Sequence, residues 1–352
     1  MEHALYHPQW GYYTGGAHKF GSGGDFTTAP EMTPLFGHAL AAQVAQILRA
    51  EGLSAVLEFG AGSGKLAAHL LMALKAAGLT PSYAILDVSG ELRARQAATI
   101  AELAPNSVQQ VKWLSALPEN FEGVVLANEV LDAMPVKLLC KTEHAWEELC
   151  VITHDAKLSF SAQPSKAAPP AAWAAQLPLG YTTEIHLQAD GFMATLASWL
   201  KRGVALFIDY GFPEAEYYHP QRSNGTLMCH YQHFAHGDAL VWPGLQDITS
   251  HINFTGIALA AQEAGLEVLG YTSQARFLLN CVLLSLLETR TAKAAAGALG
   301  ETSAVQKLLA EHEMGELFKV LAVGCNLNPA LMDTALLGFS AGDRTHTLGD
   351  GF

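Results

Sequence analysis

Short apolar runs alternate along residues 34–127 with longer segments whose apolar side chains recur every three or four positions. The short runs predict β-strands, and the longer segments predict amphipathic helices. The predicted strands are 55–59, 82–87, 108–113 and 123–127, and the predicted helices are 34–50, 65–77 and 91–103. Alternating strands and helices are typical of a doubly wound, mostly parallel sheet with helices on both faces.

The second half of the chain has a less regular pattern. Residues 145–162 predict a β-hairpin, and the Ala- and Pro-rich residues 163–175 predict a surface linker. Residues 212–253 show no helical period, and an irregular segment of this length in a compact domain is usually functional. The remaining predicted elements are helices at 191–201, 254–264 and 276–313, strands at 204–208, 266–271 and 317–323, and an irregular tail from 326.

A glycine-rich loop follows the strand predicted at 55–59 and precedes a predicted helix. Glycines at 60, 62 and 64 let the backbone pass close to a ligand without side-chain collision. The helix offers unpaired N–H groups at its N-terminus. We therefore predict a cofactor loop, and its residues are Glu58, Gly60, Ala61, Gly62 and Gly64.

Two classes of cofactor use such a loop. The dinucleotide fingerprint G-x-G-x-x-G places a pyrophosphate on the helix N-terminus, but here the third glycine comes one residue early and position 65 is Lys. Glu58 lies two residues before the first glycine, where a carboxylate suits a cationic amino acid group better than a pyrophosphate. The loop favours S-adenosylmethionine, with S-adenosylhomocysteine as product, over NAD; a glycine-rich turn without a ligand is the alternative.

Polar residues follow two further predicted strands. Asp87, with Val88 beside it, is placed to meet ribose hydroxyls at the strand ends, although Asp87 could instead cap the next helix. Asn128, Glu129 and Asp132 follow the fourth strand. We expect Asn128 to lie beside the cofactor and, with Glu129, to orient a substrate nitrogen and hold its positive charge; a solvated turn is the alternative. Methyl transfer depends on such positioning and electrostatics.

Residues 209–253 contain a second polar set, from which we select Asp247, His251 and His230 as site residues. His230, His233 and His236 recur every third residue, which suggests a metal site, but no acidic or Cys residue has the spacing of a zinc ligand. We therefore predict no metal. The sequence has no G-x-S-x-G elbow, which argues against a serine hydrolase.

Composition narrows the partners. The chain has 20 Lys+Arg and 33 Asp+Glu, a formal net charge of −13, which argues against nucleic acid and is compatible with a cationic substrate. The five cysteines form no C-x-x-C pair, which indicates reduced thiols. No apolar run is long enough to span a bilayer, and the first residues have no signal or transit pattern. We expect a cytoplasmic protein without membrane insertion.

Motifs that resemble those of a known family run from Ala4 to Leu327. They are Leu5-Tyr6-His7-Pro8 with Gly11-Tyr12-Tyr13, Gly24-Asp25-Phe26-Thr27-Thr28-Ala29-Pro30-Glu31, Phe36-Gly37, Glu58-Phe59-Gly60-Ala61-Gly62-Ser63-Gly64-Lys65-Leu66, Asn128-Glu129-Val130-Leu131-Asp132-Ala133-Met134-Pro135-Val136, Ile208-Asp209-Tyr210-Gly211, Asp247-Ile248-Thr249-Ser250-His251-Ile252-Asn253-Phe254, Gln274 with Phe277-Leu278, and Phe318-Lys319-Val320. With these motifs the chain resembles the MidA-like methyltransferases, the family of the mitochondrial complex I assembly factor described as a protein arginine methyltransferase. The glycine loop alone marks only the superfamily, whereas the first, asparagine-glutamate and aspartate-isoleucine-threonine motifs together are specific.

The chain departs from the family pattern in three places. The family's common Asp-Phe reads Val130-Leu131 here, and position 253 is Asn where Asp is common. Family members usually have additional residues before Leu5.

The resemblance implies an α/β class I Rossmann-like methyltransferase, with a seven-stranded, mostly parallel sheet, helices on both faces and an additional helical and loop subdomain. It implies cofactor contacts at Glu58, Gly60, Gly62 and Asp87, and a substrate side near Asn128, Glu129 and Asp247. The regions expected on this basis are an N-terminal arm over the active site (1–35), a cofactor-binding core (36–145), a hairpin, linker and helix (146–203), core strands with an active-site insertion at 212–253 (204–275), a helical insertion with the last core strand (276–325) and a tail (326–352).

The function expected from these motifs is methyl transfer from S-adenosylmethionine to a protein side chain, with arginine favoured. The resemblance suggests a respiratory-complex subunit or another arginine-bearing protein as the substrate, and it leaves the oligomeric state open. A catalytically silent assembly or scaffold protein that retains cofactor binding is one alternative. A small-molecule methyltransferase is another.

Overall fold

The computed structural model describes residues 1–15, 28–293, 298–332 and 334–352. Part of one motif, residues 24–27, lies outside the described residues. The strands are β1 (Ala55–Phe59), β2 (Ser82–Leu86), β3 (Val111–Leu114), β4 (Phe121–Asn128), β5 (Lys137–Lys141), β6 (Trp146–His154), β7 (Lys157–Pro164), β8 (Thr182–Ile185), β9 (Leu200–Phe212), β10 (Met228–Tyr231), β11 (Phe234–His236), β12 (Asp247–Thr249), β13 (Ile252–Asn253), β14 (Glu267–Ser273) and β15 (Phe318–Cys325).

The described residues also form α-helices. They are α1 (Glu2–Tyr6), α2 (Ala29–Met32), α3 (Pro34–Glu51), α4 (Lys65–Ala76), α5 (Gly90–Leu103), α6 (Ala171–Ala174), α7 (Leu187–Trp199), α8 (Glu214–Tyr217), α9 (Phe254–Glu263), α10 (Gln274–Asn280), α11 (Leu283–Lys293), α12 (Ala298–Leu309) and α13 (Pro329–Met332).

Across the described residues, one large sheet has the strand order β3-β2-β1-β4-β9-β15-β14, and the short β13 pairs with β9 beside this path. The strands from β3 to β9 in this order are parallel, and β15 is antiparallel to both of its neighbours. The α/β fold with a seven-stranded, mostly parallel sheet is therefore confirmed.

Helices cover both faces of this sheet. Val56 and Leu57 are neighbours on β1, point to opposite faces and belong to two separate apolar clusters. Helices α3 and α4 supply the Val56 side, and α7 and α9 supply the Leu57 side. Because both faces are buried, the central strands read as continuous apolar runs, such as 123–127.

Two smaller antiparallel sheets accompany the large one. The first has the order β7-β6-β5-β8, and its β6–β7 ribbon confirms the hairpin predicted at 145–162. The second has the order β11-β10-β12 and lies within residues 212–253. The prediction of an irregular 212–253 segment is therefore wrong. These strands have three or four residues each, too few to show a period of two in the sequence.

Several boundaries also differ from the prediction. Residues 108–110 belong to a 3₁₀ helix that begins at Pro105, not to β3. The predicted helical stretch 276–313 is divided into α10, α11 and α12, with a left-handed residue at Val282 (φ 57°). Short helical turns occur in the tail and at Glu2–Tyr6, where irregular chain was expected. Among the described residues, no helix is long and apolar enough to cross a membrane.

Candidate functional site

A cleft of about 1400 Å³ opens at the carboxyl ends of β1, β2, β4 and β9. In doubly wound sheets this edge is where ligands bind. The cleft is lined by nearly all of the residues selected from the sequence, namely Glu58, Gly60, Ala61, Gly62, Asp87, Val88, Asn128, Glu129, Asp132, His230, Asp247 and His251.

Gly64 is the predicted cofactor residue that the structure does not bring into the cleft lining. It precedes α4 with a φ of 86°, and a Cβ at this position would lie 2.8 Å from the Cα of Gln96 on α5. The glycine therefore permits close packing of the loop against α5. The prediction that it contacts the cofactor stays a prediction.

The first two glycines of the loop are left-handed, with φ values of 58° at Gly60 and 51° at Gly62. The Gly60 N–H donates to the carbonyl of Leu86 at 3.0 Å, so the loop is fixed to the end of β2. A Cβ on Gly60 would lie 3.4 Å from Val130. The backbone of the loop thus forms one wall of the cleft with little room for side chains.

Glu58 lies near the end of β1 and is almost fully buried. The Tyr83 hydroxyl donates to its Oε2 at 2.7 Å. Burial raises the pKa of Glu58 to about 7, although the Tyr83 hydrogen bond opposes this shift. The carboxylate is therefore held in place at the cleft and gains stability from a cationic ligand.

Asp87 follows β2, and its carboxylate accepts one hydrogen bond from Ser89, just before α5, and one from Gln96 on α5. The Ser89 N–H donates to Oδ1 at 2.9 Å, and the Gln96 side chain donates to Oδ2 at 2.7 Å. The cap of α5 is Ser89, whose Oγ accepts from Leu92 N–H. The helix-cap role considered for Asp87 therefore belongs to Ser89, and Asp87 remains in the cleft lining.

Gln96 is a fully buried residue that sequence analysis missed. Its amide donates to Asp87 and to the carbonyl of Gly62 at 3.2 Å, and its Oε1 accepts from Trp113 Nε1 at 2.9 Å. One side chain thus links the glycine loop, the end of β2 and β3. A glutamine in a helix gives no sequence signal for this role.

Asn128 is the last residue of β4, and Glu129 begins the turn that follows it. Glu129 has a left-handed φ of 54°, uncommon for a residue with a side chain. The Asn128 amide donates to Glu129 Oε1 at 3.1 Å, whereas Asn128 Oδ1 is buried and has no hydrogen-bond partner among the described residues. The strained turn thus presents one carboxylate and one unsatisfied acceptor at the cleft.

The Asp209 carboxylate holds this turn in place. Its Oδ2 accepts from three consecutive backbone N–H groups, those of Val130, Leu131 and Asp132, at 3.0–3.2 Å. Its Oδ1 accepts from Tyr210 N–H at 3.0 Å. Asp209 therefore joins the end of β9 to the turn after β4.

Two carboxylates across the cleft are each held by a tyrosine. The Tyr210 hydroxyl donates to Asp132 Oδ2 at 2.5 Å, and the Tyr13 hydroxyl donates to Asp247 Oδ1 at 2.8 Å. Tyr6 stacks on Tyr13 and donates to the carbonyl of Ala133 at 2.9 Å. The N-terminal residues thus contact the cleft. The first motif contains Tyr6 and Tyr13, and the N-terminal arm was expected over the active site, but the hydrogen-bond partners of these tyrosines were not predicted.

Burial raises the pKa of two acidic residues of the cleft. Burial, followed by the charges of Asp132 and Asp247, raises the pKa of Glu129 to about 8. Burial raises the pKa of Asp132 to about 6. Since each shift reflects a poorly solvated negative charge, a cation that enters the cleft favours the ionised carboxylates.

His251 and His230 lie on different parts of the cleft wall. The His251 ring stacks on Phe212 at 5.4 Å and meets Tyr210 edge-on at 5.0 Å. Burial and the nearby Arg222 lower the pKa of His251 to about 4, so its imidazole is neutral at pH 7. His230 is on β10, directly opposite Asp247 on β12.

The segment after the N-terminal residues is attached to the glycine loop. Glu31 accepts hydrogen bonds from Ser63 Oγ and, at 2.8 Å, from Lys65 Nζ. The predicted site did not include Glu31, although it belongs to one of the quoted motifs. Its carboxylate fixes α2 against the start of α4.

Across the described ranges, no group of three or more His, Cys, Asp or Glu side chains has an arrangement that could hold a metal ion. The histidines at 230, 233 and 236 lie on or between β10 and β11. The cleft therefore offers carboxylate, amide and hydroxyl groups to an organic ligand.

The sheet order, a glycine loop after β1 and carboxylates at the ends of β1 and β2 define a class I methyltransferase. Residues 39–272 match the model of the Methyltransf_28 family of S-adenosyl-L-methionine-dependent methyltransferases, and the chain belongs to this family.

Relatives extend the likeness over the whole chain. A Burkholderia thailandensis protein crystallised with S-adenosyl-homocysteine is 52% identical, covers 99% of this chain and 90% of its own, and has a TM-score of 0.92. The mitochondrial protein arginine methyltransferase NDUFAF7 of Mus musculus is 29% identical over 89% of this chain and 76% of its own length. Its Drosophila melanogaster homolog is 27% identical over 97% and 84%. The protein is an S-adenosylmethionine-dependent methyltransferase.

Proposed function

We propose that this methyltransferase modifies an arginine side chain of a polypeptide. The observation that carries the proposal is the set of three carboxylates, Glu129, Asp132 and Asp247, in one cleft beside Asn128. A guanidinium is cationic over the whole physiological range and presents several N–H donors to carboxylates. The relatives named as protein arginine methyltransferases support the same substrate class.

The residues beside the glycine loop fit the cofactor. Asn128 Oδ1 is a buried acceptor without a partner among the described residues, so a ligand N–H or O–H can satisfy it. Glu58 would hold the amino group of the cofactor, and Asp87 and Val88 would lie at its ribose. Gly60, Ala61 and Gly62 would contact it through the backbone. S-adenosylmethionine supplies an electrophilic methyl group on a sulfonium sulfur.

The acidic residues then orient the substrate nitrogen and accept its proton. Asp132 and Asp247, each fixed by a tyrosine, hold the guanidinium by charge-assisted hydrogen bonds. As the N–CH₃ bond forms, the nitrogen must lose a proton. The pKa of Glu129 is about 8 in the structure, and a bound guanidinium would favour its ionised carboxylate, which can then accept the proton. His251 and His230 also line the cleft.

The size of the cleft allows a substrate group to lie beside the cofactor. Ligand pockets for one small molecule measure about 300–1,000 Å³, whereas this cleft measures about 1400 Å³. It has room for the cofactor and for an entering side chain.

We also propose a cytoplasmic location, which the five free cysteines support.

The test uses two pools of random peptides, one that contains arginine and one in which lysine replaces it. The enzyme and methyl-tritiated S-adenosylmethionine are incubated with each pool. We expect label in the arginine pool alone, and strongly reduced label with Glu129→Gln. Equal label in both pools would contradict the proposal. Binding of S-adenosylhomocysteine without label in either pool would favour the scaffold alternative.

A further inference from the structure

Aromatic side chains are exposed at the β10–β11 hairpin and the loop that follows it. Phe234 is 77% exposed and Trp242 is 50% exposed. Tyr231 pairs directly with Phe234 across the hairpin, so both side chains lie on one side of it, and the Trp242 ring packs on Tyr231 with centroids 4.7 Å apart. Exposed apolar clusters of this kind mark interaction sites.

The N-terminal residues extend this surface. Gly244 (φ 84°) packs against the backbone of Trp10, since a Cβ on it would be 2.2 Å from the Trp10 carbonyl oxygen. Trp10 is 73% exposed and stacks on His7. We name Trp10, Tyr231, Phe234, Trp242 and Leu245 the aromatic rim.

The backbone that presents the aromatic rim is both fixed and strained. Trp242 has a left-handed φ of 47°, which a bulky side chain rarely adopts. Leu245 N–H donates to the Trp242 carbonyl at 2.9 Å, and Leu240 N–H donates to Asp238 Oδ1 at 3.0 Å. A strained residue held by its surroundings and exposed to solvent points to a functional role. The rim is therefore already ordered for binding.

The aromatic rim borders the cleft. On the same hairpin, the pair His230 and Ala235 lines the cleft, while the neighbouring pair Tyr231 and Phe234 faces the other side. The hairpin is thus a wall with the carboxylates on one side and the aromatic rim on the other. Tyr13, three residues after Trp10, reaches into the cleft to Asp247.

We propose that the aromatic rim binds the polypeptide segment that flanks the substrate arginine, while the arginine side chain enters the cleft across the hairpin. This inference rests on the proposed function for the identity of the entering side chain. The charge of the enzyme selects the occupant, because a chain of net charge −13 attracts a cationic segment and repels a second copy of itself. Aromatic faces bind cationic and apolar side chains alike.

The test measures binding without turnover. Fluorescein-labelled arginine-containing peptides of random flanking sequence are titrated with enzyme saturated with S-adenosylhomocysteine, and anisotropy gives Kd. We expect the double variant Phe234→Ala, Trp242→Ala to raise Kd about tenfold or more, as for truncated aromatic anchors. Phe234→Ser alone, at an exposed hairpin residue, should weaken binding without affecting folding. Leu284→Ala, exposed on α11, is the matched control and should bind as wild type.

Three results would overturn the inference. They are no binding of the peptides by the wild type, equal binding by the rim variants, and a wild-type dimer in sedimentation that the rim variants lose. Methyl transfer to the same peptides is measured separately. Rim-dependent binding without transfer would contradict only the proposed function, whereas transfer with rim-independent binding would contradict only the aromatic rim.

Discussion

Gly62 illustrates how a single residue limits what the cleft can hold. It lines the cleft with a left-handed φ of 51°, a conformation that a β-branched side chain rarely adopts. We predict that Gly62→Val weakens S-adenosylhomocysteine binding by about 100-fold or more in calorimetry, since it strains the backbone and fills the ligand's approach. Gly180→Val is the control, because Gly180 is also left-handed (φ 79°) but faces open space. Equal loss in both variants would contradict a local effect.

Glu129 should make stability depend on pH in a defined direction. Its pKa is about 8 in the folded protein, against an ordinary value of 4.5. Between these values the unfolded chain ionises Glu129 while the folded chain keeps it protonated, so the free energy of unfolding falls as pH rises. We predict a smaller fall for Glu129→Gln in urea denaturation between about pH 5 and 8. Glu119→Gln, at an exposed residue, should follow the wild type. An identical fall in all three proteins would refute the assignment.

At the scale of elements, the loop after β1 depends on its packing against α5. A Cβ on Gly64 would lie only 2.8 Å from the Cα of Gln96. We predict that Gly64→Ala lowers the free energy of unfolding by about 2–4 kcal/mol, from overpacking together with a left-handed φ. Gly78→Ala shares the left-handed φ (79°) without a neighbour within 4 Å and should lose only about 1–2 kcal/mol. Comparable losses would show that packing against α5 is unimportant.

The position of the turn after β4 should depend on the hydrogen bonds that Asp209 accepts. The Oδ2 of Asp209 accepts from three backbone N–H groups of the turn. Asp209→Asn replaces one of the two carboxylate oxygens with an NH₂ group, so either an acceptor is lost or the turn moves. We predict a loss of about 1–3 kcal/mol in unfolding free energy. Methyl transfer should fall further than S-adenosylhomocysteine affinity, since Glu129 and Asp132 lie on this turn. Asp190→Asn on α7, half-buried and outside the cleft lining, is the control. Unchanged transfer by Asp209→Asn would contradict the positioning role.

The elements of the large sheet could be predicted from the sequence because its strands are apolar and its helices are periodic. β1 was predicted with its observed bounds, Ala55–Phe59. β10 to β13 could not be predicted, because strands of two to four residues carry almost no periodicity. The 3₁₀ helix at Pro105–Gln110 was missed because Val108 suggested a strand, although it is exposed.

Cleft-lining residues could be predicted at the carboxyl ends of strands, where Glu58 and Asn128 lie on β1 and β4 and Asp87 directly follows β2. Residues that act through tertiary contacts left no local pattern. Gln96 and Tyr13 reach the site from segments distant in sequence, with Tyr13 separated from Asp247 by 234 positions. Gly64 was assigned to the ligand because spacing alone cannot distinguish a close approach to a ligand from close packing against a helix.

At the scale of the whole molecule, three regions meet around one cleft: the parallel sheet edge, the small β11-β10-β12 sheet and the N-terminal residues. The sheet edge carries the residues predicted to bind the cofactor, and the carboxyl groups of Glu129, Asp132 and Asp247 line the cleft, where a cation favours their ionised form. A net charge of −13 extends this preference for cations beyond the cleft. The proposed substrate is therefore a cationic polypeptide.

Arginine methylation is tested most sharply by locating the transferred methyl group. Peptides incubated with the enzyme and deuterated-methyl S-adenosylmethionine are fragmented in a mass spectrometer. We predict the label on guanidinium nitrogens of arginine in the wild type, and strongly reduced label with Gly62→Val. Label on another side chain, or on arginine to the same extent with Gly62→Val, would contradict it.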